Sequence, residues 1–304
     1  MMKNTPHAQP LSSINRRQLL AGAGAASASL WLPAHAQTPA KLPRLVTLGG
    51  AITEVVYMLG AEGQLVGTDT TSLFPPAALN TPKVGYMRAL SAEGLLSLKP
   101  DAVIGTTEAG PVVVLDQLRT AGVRVDLIEA DHTWAEIQRK VQVVGRASAR
   151  VPQAQALQAK LDADWAAVQK EVADAVKSRG RKPKVLFILT HGASPQVAGG
   201  KTAADAMINF AGGINVMIIS NGFNGYRPMT AEAMAAAAPD FVLTSTQGVE
   251  AQGGVDKFWA RPELALTPAF KKRALVQLDA LELIGFGPRL PQTVRALCQQ
   301  MVLA

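Results

Sequence analysis

The chain has 304 residues, of which 48% are hydrophobic and 17% charged, with one cysteine and a formal net charge of +7. This composition excludes a disulfide-stapled mini-domain and a disordered chain, and the length supports more than one compact core. The positive excess is mild and scattered, which makes no case for nucleic acid and leaves room for an anionic small ligand.

In chain order, Ser13-Ile14-Asn15-Arg16-Arg17-Gln18-Leu19-Leu20 precedes an apolar run of small residues that ends at Ala34-His35-Ala36. That is the order of a twin-arginine export signal cleaved after Ala36. The run from Leu19 to Leu32 is too short and too rich in Gly and Ala for a span, which needs ~20 strongly apolar residues. Removing residues 1–36 takes away Lys3, Arg16 and Arg17 and no acid, lowering the net charge from +7 to +4. Cys298, the only cysteine, is far from the cleavage site, so neither a lipid anchor nor an internal disulfide is expected. The reading is a soluble periplasmic protein.

Arg44–Leu48 reads as a strand, and Thr53–Leu59 as a helix capped by Thr53. Leu65–Thr68 is a second strand. Beyond Phe74-Pro75-Pro76 the pattern predicts a helix over Ser91–Leu98, a strand over Ala102–Gly105, a helix over Val112–Thr120 and a strand over Val123–Leu127. Strands alternating with helices predict a parallel α/β lobe. From Trp134 to Lys177 the chain is helical in character, with a break expected at Gly145 and Pro152. The second segment, Pro152–Lys177, lacks glycine and would extend about 40 Å, long enough to bridge two lobes.

The α/β pattern restarts at Val185–Leu189 and continues through helices at Ala203–Ala211 and Ala231–Ala237, a strand at Phe241–Thr244 and a helix from Pro291. Gln247–Gly254 and Ile218–Gly222 are open between cleft-shaping elements and loops. Lys99-Pro100-Asp101-Ala102-Val103-Ile104 in the first half is echoed by Ala238-Pro239-Asp240-Phe241-Val242-Leu243 in the second. The expected division is a signal over 1–36, an N-terminal α/β lobe over 42–148, a linking helix over 149–180 and a C-terminal α/β lobe over 181–304.

Ligating residues are scarce. Tyr57, Tyr86 and Tyr226 are the only tyrosines, and His132 and His191 the only histidines beyond residue 36. A phenolate is a hard anionic donor suited to ferric iron, and a nearby cation helps to populate it. Tyr86 has Arg88 two positions away, on the same side if the segment is extended. Arg227, beside Tyr226, offers a charged fork and a planar face. His191 follows a strand end, where ligands collect in α/β folds. His132 reads as a helix-start residue, and Met87 as a weak thioether ligand or, more simply, a residue packing against the ring of a bound ligand. Pattern alone also fits a buried, satisfied tyrosine at position 86, a backbone-bonded loop histidine at 191, a solvated Arg227, and ordinary first-turn acids at Glu93 and Glu232.

The run Gly49-Gly50-Ala51-Ile52-Thr53-Glu54, then Asp69-Thr70-Thr71-Ser72, Val84-Gly85-Tyr86-Met87-Arg88 and Ser91-Ala92-Glu93-Gly94, resembles the periplasmic haem-binding proteins of bacterial ABC importers. The second half agrees through Pro195-Gln196-Val197-Ala198-Gly199, Thr202-Ala203-Ala204-Asp205, Ala211-Gly212-Gly213 and Gly225-Tyr226-Arg227-Pro228-Met229-Thr230-Ala231-Glu232-Ala233. The resemblance covers nearly the whole mature chain. It implies an α/β fold of class III, with two Rossmann-like lobes built on central parallel sheets, one long joining helix and little lobe movement.

The same resemblance implies haem as the transported ligand in the cleft, with Tyr86 as axial ligand to its iron and Arg88 hydrogen-bonded to that phenol. Tyr226 and Arg227 would face the cleft from the second lobe, and His191 would be an opposing or second-haem ligand. Glu93 and Glu232 would pair with arginines of an inner-membrane ABC permease dimer, itself driven by an ATPase. A monomer that is not inserted in the membrane is expected. A ferric-siderophore or cobalamin carrier of the same fold is the alternative. An enzyme is disfavoured because no phosphate loop, Cys cluster, HExxH or nucleophile elbow is found.

Overall fold

The computed structural model describes residues 41–190 and 195–303, and residues 42–304 group as one compact unit. The predicted export signal and His191 lie outside the described residues. The first half opens with β1 (Leu45–Thr47), α1 (Gly50–Met58) and β2 (Leu65–Thr68). It continues with α2 (Ala92–Ser97), β3 (Ala102–Thr106), α3 (Val112–Thr120) and β4 (Arg124–Ile128). Its four strands pair in the order β2-β1-β3-β4, all parallel. Helices cover both faces, so β1 and β3 are apolar and buried on both sides.

Two helices follow, α4 (Trp134–Ala147) and α5 (Val151–Arg179). The buried positions of α5, Ala154, Leu161, Trp165, Val168, Val172 and Ala175, recur at helical spacing. Ala154 and Leu161 pack into the core of the first lobe, and Trp165, Val168, Val172 and Ala175 into that of the second. One helix of 29 residues, about 43 Å long, thus belongs to both cores.

The second half contains β5 (Lys184–Leu189), β6 (Gln196–Ala198), α6 (Ala203–Phe210), β7 (Ile214–Asn215), α7 (Val216–Asn221), β8 (Tyr226–Pro228) and α8 (Ala231–Ala237). It ends with β9 (Phe241–Ser245), α9 (Thr246–Ala251), α10 (Val255–Trp259), α11 (Pro268–Lys272), β10 (Leu275–Leu278), α12 (Ala280–Ile284) and α13 (Leu290–Met301). Its sheet runs β10-β9-β5-β6-β8, with β7 alongside β5. The β5, β7, β9 and β10 pairings are parallel, whereas β6 and β8 join antiparallel. The fold is therefore α/β with two central sheets joined by one long helix.

Several expectations are corrected. Thr53 does not cap α1. The helix starts at Gly50, and the Thr53 hydroxyl is buried against those of Thr47 and Ser72, 2.7 Å from each. The helical break falls at residues 148–150, because Gly145 lies inside α4, where a Cβ would stand 2.4 Å from that of Ala154. Pro152 sits in the first turn of α5, where its missing N–H costs nothing. The segments 218–222 and 247–254, open in sequence between cleft-shaping elements and loops, overlap the short helices α7 and α9. Val123 precedes β4 rather than opening it.

The lobes meet at the back through buried contacts. Lys140 and Glu136 on α4 pair at 2.6 Å, each 2% exposed, and the Lys140 ammonium also donates to the Phe286 carbonyl at 2.7 Å. Arg289 forks onto Glu54 of α1 at 2.7 and 2.8 Å, also pairs with Glu282, and lies 4.0 Å over the Phe74 ring. Rings run from His132 through Phe286, Phe210 and Trp165 to Trp134 at centroid spacings of 5.2, 6.2, 4.9 and 4.9 Å. That row draws on both halves and on α5.

Candidate functional site

Parallel strands of an α/β sheet direct the loops at their C-terminal ends into one crevice. In the first lobe these loops supply Gly49-Gly50 after β1, Asp69–Ser72 after β2 and Thr106–Glu108 after β3. The buried Asp69 carboxylate organises the first two, accepting from the Gly49 amide at 3.0 Å, the Ser72 hydroxyl at 2.8 Å and the Thr71 hydroxyl at 2.7 Å. Gly49 has φ +113°, and a Cβ on Gly50 would meet the Thr71 carbonyl at 2.6 Å and the Leu281 side chain at 2.8 Å. The double glycine is thus what lets α1 begin against the other lobe.

Tyr86 is set by a turn rather than by an extended segment. The Ala89 amide donates to the Tyr86 carbonyl at 2.8 Å, and Thr70 and Leu90 tie the segment to Gly85 and Gly110 at 3.0 and 3.1 Å. Met87 points inward, 8% exposed in the first-lobe core, so it packs against protein. Tyr86 and Arg88 remain outside and still meet: Arg88 Nη1 donates to the phenol oxygen at 3.0 Å. With 43% of its surface exposed, Tyr86 is not the buried tyrosine of the bland reading.

The second arm of Arg88 reaches Glu108 Oε1 at 2.7 Å. The sequence reading missed Glu108, although its position two residues past β3 was a usable signal. Glu108 and Tyr86 hold the Arg88 pKa above its ordinary value against the opposing effect of burial. From the second lobe, Tyr226 lies on edge strand β8, 37% exposed, its backbone paired with Ala198 of β6 and its phenol making no hydrogen bond among the described residues. Burial pushes its pKa up, the Glu108 charge adds to that, and Arg88 opposes it. Tyr226 and Tyr86 therefore sit around one ion pair.

Arg227 follows Tyr226 on β8, and its guanidinium stacks over Phe223, 4.5 Å from the ring centre. His132 precedes the α4 cap residue Thr133 with φ +55°, and its amide donates to Glu136 at 2.7 Å.

Behind Tyr86 and Arg88 is a cavity of about 170 Å³ lined from both lobes, including Thr106, His132, Glu136, Lys140 and Phe286. The Thr106 hydroxyl and His132 Nδ1 make no hydrogen bond among the described residues, Glu136 Oε2 lying 3.8 Å from the latter. Burial lowers the Lys140 pKa, against the opposing pull of Glu136. Sites for drug-sized ligands run to roughly 300–1,000 Å³, so a large planar ligand cannot enter this cavity whole.

Glu93 and Glu232 are exposed, in the first turns of α2 and α8. Ser91 and Thr230 cap those helices, accepting from Gly94 and Ala233 at 3.5 and 3.3 Å. Neither glutamate has an ion-pair partner among the described residues. No helix among the described residues is long and apolar enough to cross a membrane.

The sequence model of the family described as "Periplasmic binding protein" matches residues 45–281. Among solved structures, the chain is similar to the periplasmic heme-binding protein BhuT in complex with two hemes, with 45% identity, a TM-score of 0.80 and coverage of 86% of this chain and 98% of that one. It is also similar to the periplasmic heme-binding protein RhuT from Roseiflexus sp. RS-1, with 38% identity, a TM-score of 0.80 and the same coverage. Among curated proteins, the vitamin B12-binding protein of Photorhabdus laumondii is 24% identical over 85% of this chain and 87% of its own length.

Proposed function

This chain belongs to the periplasmic binding protein family, and we propose that it binds ferric haem in the cleft between its lobes and delivers it to an inner-membrane ABC permease. The observation that carries the choice of cargo is the Tyr86 phenol, exposed at the cleft and accepting a hydrogen bond from Arg88 at 3.0 Å. A guanidinium only donates and stays charged, so it stabilises the deprotonated oxygen that a ferric ion takes as ligand. The likeness to two periplasmic haem-binding structures supports the same reading.

In this reading Tyr86 is the axial ligand, Arg88 its hydrogen-bond donor, and Tyr226 lies against the macrocycle from the other lobe. Arg227 is the cation for a propionate, and His191, two residues beyond β5, the candidate second ligand. Glu93 and Glu232 dock on arginines of the permease dimer. Residues 1–36 direct export by the twin-arginine route, and the mature protein acts as a soluble periplasmic monomer. It carries its ligand without converting it.

Titration of the purified protein with hemin tests the proposal. Wild type should give a shifted Soret band with ferric high-spin, phenolate-type bands. Tyr86→Phe should lose those bands while its circular dichroism is unchanged, since the ring still fills its place. A wild-type spectrum in Tyr86→Phe rules the ligand out. Likeness to a vitamin B12-binding protein favours cobalamin as the second reading. Tight cobalamin binding with no hemin shift would replace haem by it.

A further inference from the structure

Arg88 is long and half exposed, and a guanidinium on a free tether holds no single hydrogen-bonding geometry for long. Here its fork is pinned at both tips, Nη1 on the Tyr86 oxygen at 3.0 Å and Nη2 on Glu108 at 2.7 Å. The two anchors come from separate segments. Tyr86 is on the turn closed by Ala89. Glu108 is on the loop after β3, which is fixed by Thr107 on Ile128 at 2.9 Å, Ala109 on Thr106 at 3.0 Å and Gly110 on Met87 at 2.9 Å. Held at two nitrogens the guanidinium plane has one orientation. Held at one, it swings.

The sign of the charges says how Glu108 can help. A carboxylate near a phenolate repels it, so Glu108 cannot favour an iron-bound Tyr86 oxygen by its own field. Its contribution has to pass through Arg88. We propose that Glu108 is a positioning residue of the haem site, aiming Nη1 of Arg88 at the Tyr86 oxygen while that oxygen is bound to ferric iron. This inference rests on the haem reading given above.

The experiment compares Arg88→Ala, Glu108→Ala, Glu108→Gln and the Arg88→Ala/Glu108→Ala double variant, each loaded with hemin. Phenolate-to-iron charge-transfer absorption, the iron–phenolate Raman stretch and the hemin Kd are measured. Glu108 is well exposed, so the variants should fold, and circular dichroism checks this. Glu108→Ala should move the band and the stretch to the Arg88→Ala values and weaken hemin binding by about two- to fivefold, as an exposed ion pair allows. Glu108→Gln keeps an acceptor for Nη2 and should keep the wild-type spectrum. The double variant should match Arg88→Ala alone.

A wild-type band in Glu108→Ala overturns the inference, as do additive shifts in the double variant. So does a Glu108→Gln spectrum like that of Glu108→Ala, which would make charge rather than aim the cause. Failure of the haem reading is seen separately, as a missing phenolate band in wild type or its survival in Tyr86→Phe.

Discussion

Replacing Arg289 by alanine should loosen the joint between the lobes. The guanidinium gives two charge-assisted hydrogen bonds, at 2.7 and 2.8 Å, to a Glu54 side chain that is only 4% exposed, and is itself 21% exposed. Removing one member of a buried pair costs ~3–5 kcal/mol, because the other charge is left desolvated. Partial exposure of Arg289 places the loss near the lower figure. The contact with Phe74 adds about 0.5–1 kcal/mol, so roughly 3–4 kcal/mol is expected in all. At ~2–4 °C per kcal/mol for a domain of this size, Tm should drop by roughly 6–16 °C.

The pH dependence follows from Glu54. Burial raises its pKa, and Arg289 pulls against that. A raised carboxyl pKa means a contribution that is present below the unfolded value and lost as pH rises through the folded one. Without Arg289 the pKa climbs further. The acid then takes up its proton more easily as pH falls, and a neutral carboxyl needs no cation, so the cost of the substitution should be smaller at about pH 5 than at about pH 7.5. Urea unfolding of both proteins at the two pH values measures this. Glu54→Gln in the Arg289→Ala background should recover part of the loss, since it removes the stranded charge. A loss under ~1 kcal/mol, or one independent of pH, would refute the reasoning.

Glu93→Ala with Glu232→Ala should bind hemin normally and fail to support uptake by reconstituted transporter. If both docking pairs are buried, at ~2–5 kcal/mol each, docking weakens more than a hundredfold. Normal uptake would reduce both residues to helix-start acids. Gly199→Ala places a Cβ 2.3 Å from the Phe223 carbonyl and 2.6 Å from its ring. It should destabilise the protein by ~1–3 kcal/mol and disturb the platform under Arg227, which thermal unfolding and hemin titration would detect; wild-type stability would contradict the packing argument. His191→Ala should change either the sixth-ligand signature or the number of haems bound, and an unchanged titration would leave it outside the site.

The parts of the fold legible in sequence were those written in local periodicity. Both parallel cores and α5 were readable because their apolar spacing is long and uninterrupted. The echoed Lys99-Pro100-Asp101 and Ala238-Pro239-Asp240 segments prove to be one device used twice. Lys99 and Ala238 turn the chain at φ +47° and +45°, and Asp101 and Asp240 accept the amides of Arg44 and Lys184 at 2.8 and 2.9 Å as a central strand begins. By contrast β6 and β8 have three residues each, too few for alternation to show, and α7 and α9 have six. Tyr86 and Arg88 were readable as a pair because they are two residues apart. Glu108 is 20 residues from Arg88, and Glu54 is 235 from Arg289; only the tertiary fold brings these together.

The lobe joint has a consequence for recognition. Lys140, Arg289 and the row of rings bolt the lobes together at the rear, so on the proposed function filling the cleft would do little to the distance between the first turns of α2 and α8. That distance would behave as a fixed gauge. A partner gripping Glu93 and Glu232 would find the same span on an empty carrier as on a loaded one, and a contact that is equal in two states cannot distinguish them. The loaded state would have to announce itself by the edge of the cargo exposed between the lips. Without that signal, an empty carrier would occupy a seat that a full one could use.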